Sequence, residues 1–144
     1  MSSSMSDERR ESALMWLSYA LGDLEAARSK SGRHVRARHV AFHAQQAAEK
    51  ALKAALVLDS VDPPRTHDLD ELRRLLPRTW RAKKSPGSLS RLTDYAAESR
   101  YPDFTMQVTP LQAATAVRQA LAVVRLVRDD FKRRGASTEG LEAQ

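Results

Sequence analysis

The chain has 144 residues, which is the size of one ordinary domain and enough to bury a core without covalent cross-links. It contains no cysteine, so disulfide bonds and thiolate metal sites are excluded. Twenty-four basic and eighteen acidic residues give a formal charge of +6, which is typical either of a solvated basic surface or of a protein with an anionic partner, such as a nucleotide, RNA or an acidic protein surface.

The sequence carries no signal for export or for membrane insertion. Its first ten residues lack the apolar core of a signal peptide, and no apolar run approaches the roughly 20 residues that a membrane-spanning helix needs. We therefore expect a cytoplasmic protein without a membrane segment.

The first two predicted elements are long amphipathic helices. Residues 1–9 are expected to be disordered or frayed, and Ser6 can cap a first helix that the segment 29–32 ends. Its apolar stripe predicts one buried face: Ala13, Leu14, Leu17, Ala20, Leu21, Leu24 and Ala27. A second helix is predicted from about residue 35 to 58, with an alanine-rich inward face that implies close approach to a neighbouring helix: Val40, Ala41, Ala44, Ala48, Ala51, Leu52, Ala55 and Leu58.

Shorter elements are predicted between residue 62 and the last helix. Thr66 resembles the cap of a short helix over residues 67–76, residues 78–88 form a basic loop, and another helix covers about 89–99. Thr109 followed by Pro110 predicts the start of the last helix, which Gly135 ends. The predicted inward face of that helix is Leu111, Ala114, Val117, Leu121, Val124, Val127 and Phe131.

These elements together predict an all-α fold. Three long helices and two short ones, joined mostly by short connections, specify an antiparallel up-and-down bundle of four to five helices over residues 10–134. Residues 135–144 are expected to form a disordered C-terminal tail.

The most unusual polar pattern lies in the second helix. At about 100° per residue, His43, Gln46, Lys50 and Lys53 fall within a sector of about 80° beside the apolar stripe. This set, which we call the polar ladder, suits phosphate and base recognition, because lysines supply point charges while imidazole and amide supply directional hydrogen bonds. Alternatively, Glu49 and Lys53 form an ordinary surface ion pair and His43 is a half-buried packing residue.

Two further segments are candidate ligand-binding sites. His67 and Asp68 lie at a helix start, where the carboxylate either serves only the helix or also binds a ligand. Arg100, Tyr101 and Asp103 surround a helix-breaking proline, where they either edge a site or lock a loop.

The sequence predicts no metal site and no cofactor. His39 and His43 are four residues apart, but neither the intervening residues nor the rest of the chain supply the glutamate motif or an identifiable third ligand. The chain also lacks a glycine-rich phosphate loop.

In their order and spacing, these segments resemble the HEPN domain family (higher eukaryotes and prokaryotes nucleotide-binding) over about residues 10–134. The resemblance is carried by Trp16 with ALGDLEAA at 20–27, by AFHAQQAAEKALKA at 41–54, by THDL at 66–69 and by RYPD at 100–103. It implies a helical bundle, often a homodimer, that is frequently paired with a small nucleotidyltransferase encoded beside it, as in toxin–antitoxin modules.

Some members of the family are metal-independent ribonucleases. Their motif is an arginine followed, after four to six residues, by a histidine, late in the bundle and completed across a dimer. Here Arg38 or Arg36 with His43 satisfies that spacing, but in the second helix, and no histidine follows His67.

The sequence therefore predicts a nucleotide- or RNA-binding module that works with a nucleotidyltransferase. A ribonuclease toxin that uses Arg38 and His43 is the alternative, and a purely structural interaction subunit is the second alternative.

Overall fold

The computed structural model describes residues 2–29, 36–84, 87–97 and 107–141. Within those ranges the only regular elements are helices, which confirms the predicted all-α bundle. In chain order they are α1 (Ser2–Arg28), α2 (Ala37–Leu58), α3 (Leu69–Arg74), the 3₁₀ helix η1 (Arg81–Lys84), α4 (Ser90–Asp94) and α5 (Pro110–Arg133). No helix in the described part of the chain is both long enough and apolar enough to cross a membrane.

The central helix is α2, of which every residue is buried or half-buried. It packs against α1, α5, α3 and α4. Helices α1 and α2 are antiparallel, since Lys53 lies over Trp16, whereas His43, earlier on α2, contacts Asp23, later on α1. Helices α2 and α5 end on the same side of the bundle, where Asp59 pairs with Arg134 at 3.6 Å.

The alanine-rich face of α2 is the centre of the core, as the sequence predicts. Six of its predicted residues are fully buried and the two at its ends, Val40 and Leu58, are half-buried. Small side chains let helix axes approach closely, and ridges of neighbouring helices then fill the grooves. The predicted buried stripe of α1 is confirmed at Ala13, Leu17, Ala20, Leu24 and Ala27.

Helix α1 begins earlier than the sequence predicts. It starts at Ser2, so Ser6 lies inside the helix instead of capping it, and residues 6–9 are helical where a disordered or frayed segment was expected. The extension faces the end of α2, because Glu8 and Arg9 line a cavity together with Val57 and Val61.

The cap of α3 is Asp68 and not Thr66. Oδ1 of Asp68 accepts hydrogen bonds from the backbone N–H groups of Asp70 (3.0 Å) and Glu71 (3.2 Å), so the helix begins at Leu69. Thr66 acts one step earlier, because its hydroxyl accepts from the backbone N–H of Asp68 at 3.1 Å. The predicted basic loop 78–88 contains η1, and the predicted helix 89–99 is described as α4 over Ser90–Asp94.

The start of α5 is confirmed, and its predicted inward face is confirmed except at Leu111 and Ala114 in the first two turns. The hydroxyl of Thr109 accepts from the backbone N–H of Gln112 at 3.1 Å, and the Gln112 side chain returns a bond to Thr109. Leu111 is 72% exposed and Ala114 is also exposed, whereas the packed face contains Ala113, Ala116, Ala120, Val123, Val124, Val127 and Phe131. Val124, Val127 and Phe131 of the predicted face are buried, and Val117 and Leu121 are half-buried against the core.

The chain after α5 returns to the bundle. Ala136 is fully buried, Thr138 is 3% exposed and Leu141 packs against the core, so residues 135–141 are packed where a disordered tail was expected. The remainder of that predicted tail, 142–144, lies outside the described residues.

A buried carboxylate joins α5 to η1. Asp130 is 2% exposed, and its Oδ2 accepts hydrogen bonds from the backbone N–H groups of Arg81 (2.8 Å) and Ala82 (3.3 Å). Its Oδ1 lies 3.3 Å from the guanidinium of Arg133. The side chain therefore satisfies backbone donors that the short helix η1 leaves without partners of its own.

We expect Asp130→Ala to lower the free energy of unfolding by about 1–3 kcal/mol, because two buried backbone donors lose their acceptor. Urea unfolding followed by circular dichroism measures the change. Asp129→Ala is the control, since Asp129 is the exposed neighbour on the same helix. Equal losses in the two variants would contradict the assignment.

Candidate functional site

The polar ladder divides into two separate clusters. His43, Gln46, Lys50 and Lys53 are all half-buried, as their position beside the apolar stripe predicts. Each lysine, however, pairs with a carboxylate of a different helix: Lys50 with Asp23 of α1, and Lys53 with Glu49 of α2 itself.

The first cluster is centred on Asp23. Its Oδ2 accepts a hydrogen bond from Nζ of Lys50 at 2.6 Å, and its Oδ1 lies 3.3 Å from Nδ1 of His43. The His43 side chain is 40% exposed and that of Lys50 is 28% exposed, so both reach solvent. An imidazole fixed at Nδ1 by a carboxylate has its other ring nitrogen available to a ligand or a proton. This cluster is the accessible part of the ladder.

The second cluster is centred on Glu49, which is only 5% exposed. Its Oε1 lies 2.7 Å from Nδ1 of His67 and accepts from Nε2 of Gln45 at 3.0 Å, while its Oε2 accepts from Nζ of Lys53 at 3.0 Å. Gln45 is fully buried and also donates to the backbone carbonyl of His67 at 3.1 Å. Gln46 joins this cluster by donating to Oε1 of Gln45 at 2.7 Å.

The environment of Glu49 favours its charged form. Burial raises the pKa of this carboxyl, but the hydrogen bonds from His67, Gln45 and Lys53, together with the positive charge of Lys53, outweigh burial and hold the pKa below its ordinary value. Glu49 is therefore a carboxylate that ties α2 to the segment before α3.

The position of Lys53 differs from the one that the predicted contact with a phosphate requires. Its side chain is only 12% exposed, and its ammonium lies 5.8 Å from the centre of the Trp16 ring as well as on Glu49. A cation held between a carboxylate and an aromatic face is already stabilised inside the protein. Lys53 therefore serves the contact between α1 and α2.

The other predicted site residues fall into two groups. His67 is brought to the ladder, with 37% of its side chain exposed, whereas Oδ1 of Asp68 is occupied by the backbone of α3. Arg100, Tyr101 and Asp103 lie outside the described residues.

Sequence reasoning missed three residues that organise the ladder: Asp23, Gln45 and Glu49. Gln45 and Glu49 follow the buried Ala41 by four and eight residues, so the helical period places them on the inward face. That spacing is the signal that could have identified Glu49 as a buried acid instead of a surface partner of Lys53. Asp23 gives no such signal, because its partners come from α2.

The arginines of the predicted ribonuclease pair lie on different sides of α2. Arg36, the residue before the helix, is seven positions from His43 and therefore about 20° away around the axis, whereas Arg38 is about 140° away. Arg36 is exposed and Arg38 is half-buried. Of the two, Arg36 is the one that shares a face with His43.

No group of three or more histidine, aspartate or glutamate side chains in the described part of the chain could hold a metal ion. What the described geometry defines is a helical-bundle module with a half-exposed edge of imidazole, amide and amine groups.

Comparison with known families gives this module its family. The HEPN domain model matches residues 13–130, which is most of the chain, so the protein belongs to the HEPN domain family. This membership supports a role related to nucleotides or RNA in general. No curated protein and no solved structure shows a significant match.

We expect Glu49→Gln to change how stability depends on pH. Because the pKa of Glu49 is lowered in the folded protein, its carboxylate contributes stability fully above the unfolded-state pKa of about 4.3, and this contribution is lost as the pH falls through the folded-state pKa. The free energy of unfolding of the wild type should therefore exceed that of the variant most near neutral pH, and the two values should converge at acid pH.

Urea unfolding over a series of pH values measures the two free energies of unfolding. Glu11→Gln, at an exposed position of α1, is the control and should parallel the wild type. A wild-type advantage over Glu49→Gln that does not change with pH would argue against a paired carboxylate at position 49.

Proposed function

We propose that this chain is a nucleotide- or RNA-binding module that acts with a small nucleotidyltransferase encoded beside it, as in toxin–antitoxin pairs, and that it forms a homodimer. The observation that carries the proposal is the HEPN match over residues 13–130. The net charge of +6 and the half-exposed edge of α2 support it.

The binding groups in this proposal are His43, Gln46, Lys50 and His67. An ammonium has three N–H donors, and Asp23 takes one from Lys50, so two remain for a phosphate. The exposed part of the His43 ring supplies a directional hydrogen bond, and its partner Asp23 fixes the orientation of the ring. The negative charge of Asp23 opposes an anion, which favours ligands that also engage the imidazole and amide groups.

We expect Lys50→Gln to weaken RNA binding and to reduce the slope of log K against log salt by about one, because one cation no longer contacts a phosphate. Fluorescence anisotropy with a labelled oligoribonucleotide, repeated over a salt series, measures both effects. Lys84→Gln is the matched control, since it removes the same charge from an exposed position of η1.

Two results would count against the proposal. One is an unchanged affinity and salt slope in Lys50→Gln, and the other is an absence both of RNA or nucleotide binding and of complex formation with the neighbouring gene product. Complex formation without any ligand, weakened by Lys50→Glu and Lys53→Glu, would favour the structural subunit. Sedimentation equilibrium measures whether the chain is a dimer.

A ribonuclease is the second candidate function, and the Asp23–His43 contact favours it. If Nδ1 of His43 carries the ring proton and donates a hydrogen bond to Asp23, Nε2 is free to act as a general base. It would take the proton of a ribose 2′-hydroxyl, whose oxygen attacks the adjacent phosphorus to form a 2′,3′-cyclic phosphate. The bond from phosphorus to the 5′-oxygen of the next nucleotide breaks, and that oxygen leaves as a hydroxyl after taking up a proton from water. Arg36 of this chain, or an arginine of a second copy, would stabilise the charged phosphoryl transition state.

If the chain is a toxin, we expect His43→Ala to relieve growth inhibition and Asp23→Asn to relieve it in part, because the carboxylate only orients the imidazole. Growth and the integrity of transfer and messenger RNA after induced expression are the measurements. His39→Ala, one turn earlier on α2, is the control. Normal growth and intact RNA with the wild-type chain would remove this candidate.

A further inference from the structure

A crevice of about 840 Å³ lies between α1 and α5, and no residue of α2 lines it. Its walls are about three turns of α1 and about two turns of α5, and Leu141 from the returning C-terminal segment also contributes. The size is within the range of small-molecule sites, which are concave and have a few polar groups above an apolar base.

The base of the crevice is apolar. Leu24 and Val124 are buried there, and Leu21, Leu121 and Leu141 are half-buried. Tyr19, which is 55% exposed, also lines the crevice. Apolar side chains beside an aromatic ring suit a flat, weakly polar group, because such a group can stack and leave water at the same time.

The polar lining of the crevice is predominantly cationic. Arg28 of α1 and Arg125 and Arg128 of α5 line it, against the single carboxylate of Glu25. Arg28 and Arg125 are exposed, and Arg128 is half-buried. Guanidinium groups bind phosphate oxygens through paired N–H donors, which makes arginine the residue suited to an organic phosphate.

Gly22 lines the crevice. It lies inside α1, where glycine is unfavourable relative to other residues, and its backbone has no positive φ that would require glycine. A Cβ atom at this position would meet nothing within 4 Å, so close contact with a neighbouring helix does not require glycine either. What a side chain would take up is the space of the crevice, which Gly22 lines.

We propose that the crevice between α1 and α5 is a binding site for a phosphate-bearing ligand with a flat aromatic group, and that Gly22 is present to leave room for it. The arginines contact the phosphate, and Tyr19 with the apolar base receives the flat group. The site is separate from the polar ladder, so it stands or falls independently of the function proposed above.

The test uses ADP, adenosine and inorganic pyrophosphate as probes of the full chain, with binding measured by calorimetry. ADP should bind more tightly than either of the other two, because only ADP carries both the phosphates and the flat group. A 5′-phosphorylated oligoribonucleotide distinguishes the sources of this chemistry: tighter binding than ADP assigns the site to a strand end, and weaker binding assigns it to a free nucleotide.

Two substitutions locate the site. Gly22→Leu should weaken ADP binding by about tenfold or more without lowering the free energy of unfolding, because leucine fills the space and favours the helix. Arg125→Gln should weaken ADP and pyrophosphate alike by about tenfold, through loss of a charged hydrogen-bond donor. Arg78→Gln, at an exposed position on the turn after α3, is the control and should bind ADP like the wild type.

The proposal is overturned if the wild type does not bind ADP, or if Gly22→Leu binds it as tightly as the wild type. Equal affinities for ADP and pyrophosphate would contradict the part of the proposal in which Tyr19 and the apolar base bind the flat group. A loss of binding in Lys50→Gln but not in Gly22→Leu would assign the nucleotide to the polar ladder instead, so the two sites fail in different ways.

Discussion

The structure depends on the enclosure of α2. Because no residue of this helix is exposed, its buried polar side chains, Gln45 and Glu49, need partners inside the bundle. Glu49 shows the consequence most clearly, since its buried carboxylate is satisfied at once by His67, Gln45 and Lys53. The same contacts hold the segment before α3 against the core. The packing of the central helix and the arrangement of the candidate site therefore depend on the same contacts.

This enclosure explains why the fold could be predicted more fully than the site. The alanine face of α2, the stripe of α1 and the Thr109–Pro110 start of α5 are local patterns, and each is confirmed. The predicted inward face of α5 is wrong only at Leu111 and Ala114, in the first two turns, where Ala113 and Ala116 are buried instead. Local hydrophobicity favours the large side chain of Leu111, but it does not show where the start of the helix meets its neighbours.

The polar ladder shows the same limit at the level of single side chains. Helical spacing correctly places His43, Gln46, Lys50 and Lys53 beside the core, but it does not say which acid each amine meets. Asp23 reaches Lys50 across 27 positions of sequence, and His67 reaches Glu49 across 18. Partners this distant in sequence are set by tertiary packing. The lysines, which the sequence suggests as phosphate contacts, are therefore in ion pairs, with part of each side chain exposed to solvent.

At the end of the bundle where α2 and α5 terminate, three parts of the chain that are distant in sequence contact one another. The indole N–H of Trp80 donates to Asp59 at 3.2 Å, and the guanidinium of Arg134 lies 4.0 Å from the centre of the Trp80 ring. Arg134 follows α5, so these contacts form only after α5 has been synthesised. On the ribosome, α1 and α2 therefore emerge well before α5, and the apolar side of α2 that α5 covers stays uncovered until residues 110–133 have been made.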